Sequence, residues 1–203
     1  MKVALFNGDP TCTDATEHVL SYVHDVDRFD TLPPLDNYDM IVMPGGVEDA
    51  DEFHEHFGRK DGNRVEEFIA NGGKYLGICL GAYWAGHYYF DILDGIRCEQ
   101  YIIQPNAAVK RSFETTIEVS WFGQKERMYF FDGTTFKGDI NKCNVVASYV
   151  TGEPMAIVQG NVGLIGCHPE SQLDWYDRKY LSKHWHDRKH NLLLLDFVDR
   201  MIP

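Results

Sequence analysis

No two of the five cysteines, Cys12, Cys79, Cys98, Cys143 and Cys167, stand at C-x-x-C spacing, and their number is odd. A disulfide framework and a zinc ribbon are thereby excluded as organising devices, and reduced thiols are expected. Positive charge is scarce as well: 19 lysines and arginines face 31 aspartates and glutamates, for a formal charge of -12. Such a surface repels phosphate backbones and anionic lipid, which argues against nucleic-acid and membrane partners. Long apolar runs are missing. The opening "MKVALFNGDP" holds one lysine and four consecutive apolar residues, too few for a secretory h-region or a membrane span, so a cytoplasmic location is expected. With no internal repeat, low-complexity tract or linker, residues 1–203 are read as one domain, although they exceed the roughly 150 residues of a typical one. There is no H-E-x-x-H motif either. His184, His186 and His190 of "HWHDRKH" are read as a solvated helix face, and no metal or organic cofactor is expected.

Short apolar segments alternate with helical patterns over the first ninety or so residues. "KVALF" (2–6), "YDMIVMPGG" (38–46) and "KYLGI" (74–78) read as buried strands that run into glycine- or proline-containing loops. Between them, "ATEHVLSYVHD" behind a Thr13 or Asp14 cap, and "GNRVEEFIANGG" ending on Asn71 and Gly72, read as helices. "LGAYWAGHYYF" is expected to form the helix after the third strand. Strands that alternate with helices imply a mostly parallel sheet covered on both faces, an α/β fold in three layers. From about 95 to 150 the character changes, and "TTIEVSWF", "RMYFFDG" and "CNVVASYV" predict an antiparallel β extension. "PMAIVQGNVGLIGCHPE" adds two strands around a tight turn, and the tail from Leu173 to Ile202 is read as largely helical.

The chemistry concentrates in "GGKYLGICLGAYWAG" (72–86). G-I-C-L-G at 77–81 has the spacing of a nucleophile elbow, a sharp strand-to-helix turn whose small neighbours let the central side chain stand above the sheet. The same five residues also suit a purely structural turn. What tips the balance is "LIGCHPE", which sets His168 at the end of an apolar strand with Glu170 two residues on, so that a carboxylate can orient a general base. Cys79, His168 and Glu170 are therefore the candidate nucleophile, base and orienting acid. "MPGGVED" (43–49) offers backbone N–H groups of Gly45 or Gly46, which with that of Leu80 would form an oxyanion hole. Tyr83 and Trp84 beside Cys79, and Asn7 and Gly8 in the loop after the first strand, are candidate substrate contacts. "YFFDG" is a candidate wall or lid, Cys12 a second thiol at the same sheet edge, and Cys167 is expected to be buried away from the site.

The order P-G-G, G-I-C-L-G, H-P-E resembles the class I glutamine amidotransferase superfamily. "MPGG", "NGGKYLGICLGAYWAG", "YFFDGTTF", "EPMAIV" and "GCHPE" resemble, more narrowly, the amidotransferase-like domain found at the N-terminus of biotin protein ligases and as stand-alone bacterial proteins. The resemblance implies a flavodoxin-like three-layer fold and the roles just given to Cys79, His168, Glu170, Gly45, Gly46 and Leu80. Glutamine-using members commonly carry glutamine four residues after the cysteine; Tyr83 stands there, so glutaminase activity is not implied. No G-R-G-type biotin-adenylate motif occurs, so biotinylation by this chain is not expected. Two readings remain: a cysteine enzyme acting on an amide or acyl group of a small molecule or peptide, or a binding module for a protein partner of the biotin-ligase type.

Overall fold

A computed structural model describes residues 1–47 and 49–201 of the chain. The elements in order are β1 (Lys2–Phe6), α1 (Pro10–Leu20), β2 (Asp25–Phe29), β3 (Met40–Met43), α2 (Phe53–His56), α3 (Arg59–Ala70), β4 (Lys74–Ile78), α4 (Leu80–Tyr83), β5 (Ile96–Gln100), β6 (Thr115–Trp121), β7 (Gln124–Phe130), β8 (Thr134–Gly138), β9 (Asn144–Tyr149), β10 (Pro154–Gln159), β11 (Val162–Ile165) and α5 (Lys189–Asp199). One sheet runs β2-β1-β3-β4-β11-β10-β9-β6-β7, and β5 pairs with β8 apart from it. β2, β1, β3, β4 and β11 are mutually parallel, and the remaining strands of the large sheet pair antiparallel. This is the three-layer α/β fold with an antiparallel extension.

Period-two alternation divides the core between the faces. Val3, Leu5, Met40 and Val42 pack toward Val19 and Leu20 of α1 and Leu194, Phe197 and Val198 of α5. Ala4, Phe6, Ile41 and Met43 pack toward Phe53, Val65, Ala82 and Trp84 on the other face. Central parallel strands are covered on both sides, which is why they read as unbroken apolar runs.

Several boundaries differ from the sequence expectation. α1 is capped by Asp9, whose side chain accepts from Cys12 N at 2.9 Å with Pro10 at the first turn, so the cap lies before Thr13 and Asp14. β2, "DVDRF", buries only Phe29 fully; a charged edge strand carries almost no apolar signal. The helix after β4 is a single turn, Leu80–Tyr83, followed by turns through Phe90. The tail is helical only over Lys189–Asp199. Before it, short 3-10 turns place Tyr176, Leu181, Trp175 and Trp185 in a separate cluster with Tyr129 and Phe131. Ile202, the end of the expected tail helix, and Glu48 of the glycine-pair loop lie outside the described residues. Among the described residues no helix is long and apolar enough to cross a membrane.

Candidate active site

Cys79 follows β4 and carries φ 49° and ψ -104°, a left-handed backbone that L-residues rarely adopt. Its glycine neighbours make the bend feasible. A Cβ on Gly77 would stand 2.4 Å from Gly81 O, and one on Gly81 would stand 2.0 Å from Met43 O. The turn is anchored on three sides: Cys79 N donates to Ile165 O at 2.8 Å, Gly81 N to Pro44 O at 3.1 Å, and Thr134 Oγ1 to Cys79 O at 3.1 Å. Cys79 Sγ lies 3.7 Å from Phe131 O.

β11 lies beside β4 in parallel register, so their carboxyl ends reach the same edge of the sheet. The chain leaving β11 makes a bridge to Tyr129, where His168 N donates to Tyr129 O at 3.1 Å, and then turns back with Ser171 N on His168 O at 3.2 Å. Glu170 therefore meets His168 across a turn rather than along an extended strand. The imidazole Nδ1 and Glu170 Oε1 are 2.8 Å apart, with side chains 4% and 0% exposed. Burial lowers the His168 pKa, but the negative charge and hydrogen bonding of Cys79 and Glu170 outweigh it and hold the ring up at about 10.

The glycine pair divides its work. A Cβ on Gly45 would approach His168 Cε1 to 2.6 Å and Cys12 Sγ to 3.2 Å, so the imidazole rests on bare backbone there. Gly46 and Leu80 instead line an open cleft of about 710 Å³ with Cys79, Tyr83, Tyr89, Phe131 and Asp132. Among the described residues the amides of Gly45, Gly46 and Leu80 donate to no protein acceptor.

The candidate substrate contacts separate. Tyr83 lines the Cys79 cleft, its hydroxyl 3.4 Å from Gly133 O and its pKa raised first by burial and then by Cys79. Trp84 does not: it is buried against Phe6, Phe53 and Phe57 and donates from Nε1 to Ala50 O at 3.0 Å. Trp84 shares a different cavity, about 300 Å³, with Asn7 and Gly8, and the Asn7 amide donates to Asp30 Oδ1 at 2.8 Å. "YFFDG" is a wall of the cleft, through Phe131 and Asp132. Cys167 is fully buried, as expected.

Two features go further than the sequence reading. Cys12, read as a second thiol at this sheet edge, meets the His168–Glu170 pair: donor atoms of Cys12, His168 and Glu170 lie within 4.8 Å of one another, the one clustering with metal-like spacing among the described residues. His168 Nδ1 and Glu170 Oε1 are already occupied with each other, and burial pushes the Cys12 thiol well above its usual range. His186 and His190, read as a solvated face, turn inward. Their rings stack at 4.1 Å, His190 is 2% exposed with Nε2 3.3 Å from Glu126 Oε2, and His186 Nε2 lies 3.3 Å from Ser171 Oγ. A further cleft of about 570 Å³ beside α3 includes Arg64, Glu67 and Lys74 but no cysteine or histidine.

Residues 1–92, which include the elbow, match the family model described as "Biotin-protein ligase, N terminal". No curated protein matches the chain. Among solved structures, a glutamine amidotransferase from Thermotoga maritima is 19% identical, with 99% of this chain and 97% of that one covered and a TM-score of 0.72. The protein SMU.1228c is 15% identical, with 100% of both chains covered and a TM-score of 0.72. A second glutamine amidotransferase is 18% identical, with 98% of each chain covered and a TM-score of 0.67. The chain thus has the class I glutamine amidotransferase-like fold, and its first 92 residues match the N-terminal family of biotin-protein ligases.

Proposed function

We propose that the protein is a cysteine-nucleophile enzyme that cleaves or transfers an amide or related acyl group of a small molecule or peptide. The observation that carries this reading is the buried His168–Glu170 pair, 2.8 Å apart, at the sheet edge where the strained elbow after β4 holds Cys79. Cys79 attacks the carbonyl, the amides of Gly46 and Leu80 receive the oxyanion, and His168 protonates the leaving amine. Glu170 holds the imidazole in the orientation and tautomer this transfer needs.

Tyr83 fills the position where glutamine-using amidotransferases resembling this chain carry glutamine, so the substrate is taken to be an amide other than free glutamine. The alternative, a binding module for a partner of the biotin-ligase type, draws support from Cys79 being 3% exposed.

The test is trapping. Incubation with p-nitrophenyl acetate is expected to place one acetyl group on Cys79, located by peptide mass spectrometry, and Cys79→Ala should abolish it. Glu170→Gln should slow acetylation by about 10²-fold or more, in line with loss of a positioned acid–base partner. Acetylation no faster than that of a free cysteine peptide, or equal in Glu170→Gln, would favour the binding module.

A further inference from the structure

An acceptor reaction rests on the acylation of Cys79 proposed above, which leaves a thioester that must be resolved, and the cavities around the site differ on its two sides. Gly46, Val47 and Phe131 line both the Cys79 cleft and a second cavity of about 320 Å³, so the two adjoin along these residues. Cys79 opens to the first cavity only, and His168 to the second only. Nucleophile and base thus face two adjoining cavities, an arrangement that suits two substrates.

The second chamber has a definite chemistry. Tyr129 and Trp175 stand edge-on around the imidazole, their ring centroids 5.9 and 5.5 Å from it and 5.1 Å from each other. Its charged lining is Asp9, Glu114, Asp174 and Asp177 against two cations, Arg178 and, before acylation, the His168 imidazolium. Arg178 Nε lies 3.5 Å from Glu114 Oε2 and 3.9 Å from Asp177 Oδ1, and Asp9 caps α1. Asp174 has no ion-pair partner among the described residues. Aromatic walls with surplus negative charge attract an organic cation and repel a carboxylate.

We propose that this chamber is the acceptor site for a primary amine that arrives as its ammonium, so that the acyl group on Cys79 passes to nitrogen in preference to water. In the first half-reaction the donor's C–N bond breaks, the C–S bond forms, and the leaving amine takes a proton through His168. In the second, the ammonium loses a proton to solvent and the free amine attacks the thioester carbon. The C–N bond forms and the C–S bond breaks, and His168 carries the remaining excess proton from nitrogen to sulfur. No oxidant or reductant is needed.

The experiment uses p-nitrophenyl acetate as acyl donor and benzylamine, benzyl alcohol or 4-(aminomethyl)benzoate as acceptor, with N-benzylacetamide and acetate quantified together. Amide formation is expected to saturate with benzylamine, with little product from the alcohol or the carboxylate. Asp174→Asn and Trp175→Ala should each lower the amide-to-acetate ratio about fivefold, a loss typical of one cation contact. Once the enzyme-free reaction of p-nitrophenyl acetate with benzylamine and water is subtracted, that ratio is set within the acyl-enzyme, and expression level and acylation rate do not move it. Acetyl-Cys79 that decays only to acetate, or that reacts with benzylamine linearly and equally in both variants, overturns the acceptor site alone. Absence of acetyl-Cys79 overturns the cysteine-enzyme reading and this proposal with it.

Discussion

Cys79 occupies a backbone conformation whose cost is on the order of 1–3 kcal/mol, and the residues around it are chosen so that nothing else in the bend adds to that cost. Gly81 is the tightest of these, because a methyl group there would meet the Met43 carbonyl, a backbone atom at the end of a central strand. Gly81→Ala is therefore expected to destabilise the protein by about 3 kcal/mol, the upper end of the range for overpacking. For a chain of this size that lowers Tm by roughly 6–12 °C in a thermal melt; an unchanged melt would mean that the elbow tolerates bulk. The same crowding is what made Cys79 legible in the sequence, since a strand that bends sharply beneath its neighbour demands small residues at fixed spacing. Cys12 was placed at this sheet edge by its loop, but its meeting with His168 and Glu170 left no such mark. It joins His168 and Glu170 only because β1 ends near them, and proximity across the fold has no local pattern.

Elements were legible in proportion to the apolar surface they bury. β1, β3 and β4 are buried through most of their length and could be read directly, as could the hairpin of β6 and β7, whose turn residues Phe122 and Gly123 take φ 47° and 77°. β2 was invisible because an edge strand needs little hydrophobicity, and the helix beginning at Leu80 was overestimated because its aromatic residues continue past Tyr83 in turns rather than in helix. α3 shows the opposite case, a helix that holds its length despite an unfavourable residue. Gly62 sits within its first turns, has φ outside the left-handed region, and an added Cβ would meet nothing within 4 Å. Helix propensity therefore acts without steric penalty, and Gly62→Ala should stabilise by about 1 kcal/mol, raising Tm by roughly 2–4 °C. A fall in Tm would show that this turn of α3 is not helical in solution.

On the scale of the whole molecule, the site is a product of strand order. β1, β3, β4 and β11 are parallel neighbours, so Cys12, Gly45, Cys79 and His168, each following one of these strands, emerge at one carboxyl edge, the usual location of ligand sites in open α/β sheets. The sequence showed the strands and the motifs behind them, but not that β11 enters beside β4 while β10, β9, β6 and β7 extend the sheet beyond it and β5 and β8 pair apart. Bringing these charges together ties stability to pH. His168 is raised from 6.5 to about 10 in the folded chain: burial opposes the shift, and Cys79 and Glu170 outweigh it. The folded state thus holds this proton more tightly than the unfolded one. Its contribution is complete below about pH 6.5 and is lost as pH rises through about 10. His186 and His190 act oppositely. Burial lowers them to about 3 and about 4, with His190 adding to the first and Lys189 to the second, so their contribution is present above pH 6.5 and lost as acid is added toward those values. Melting temperature measured from pH 4 to 10 should therefore fall on both sides of a maximum near pH 6.5. Glu170→Gln removes one of the charges that raise His168, so it should flatten the alkaline arm and leave the acid arm in place. Parallel alkaline arms in the two proteins would mean that the Glu170 charge does not stabilise the protonated imidazole.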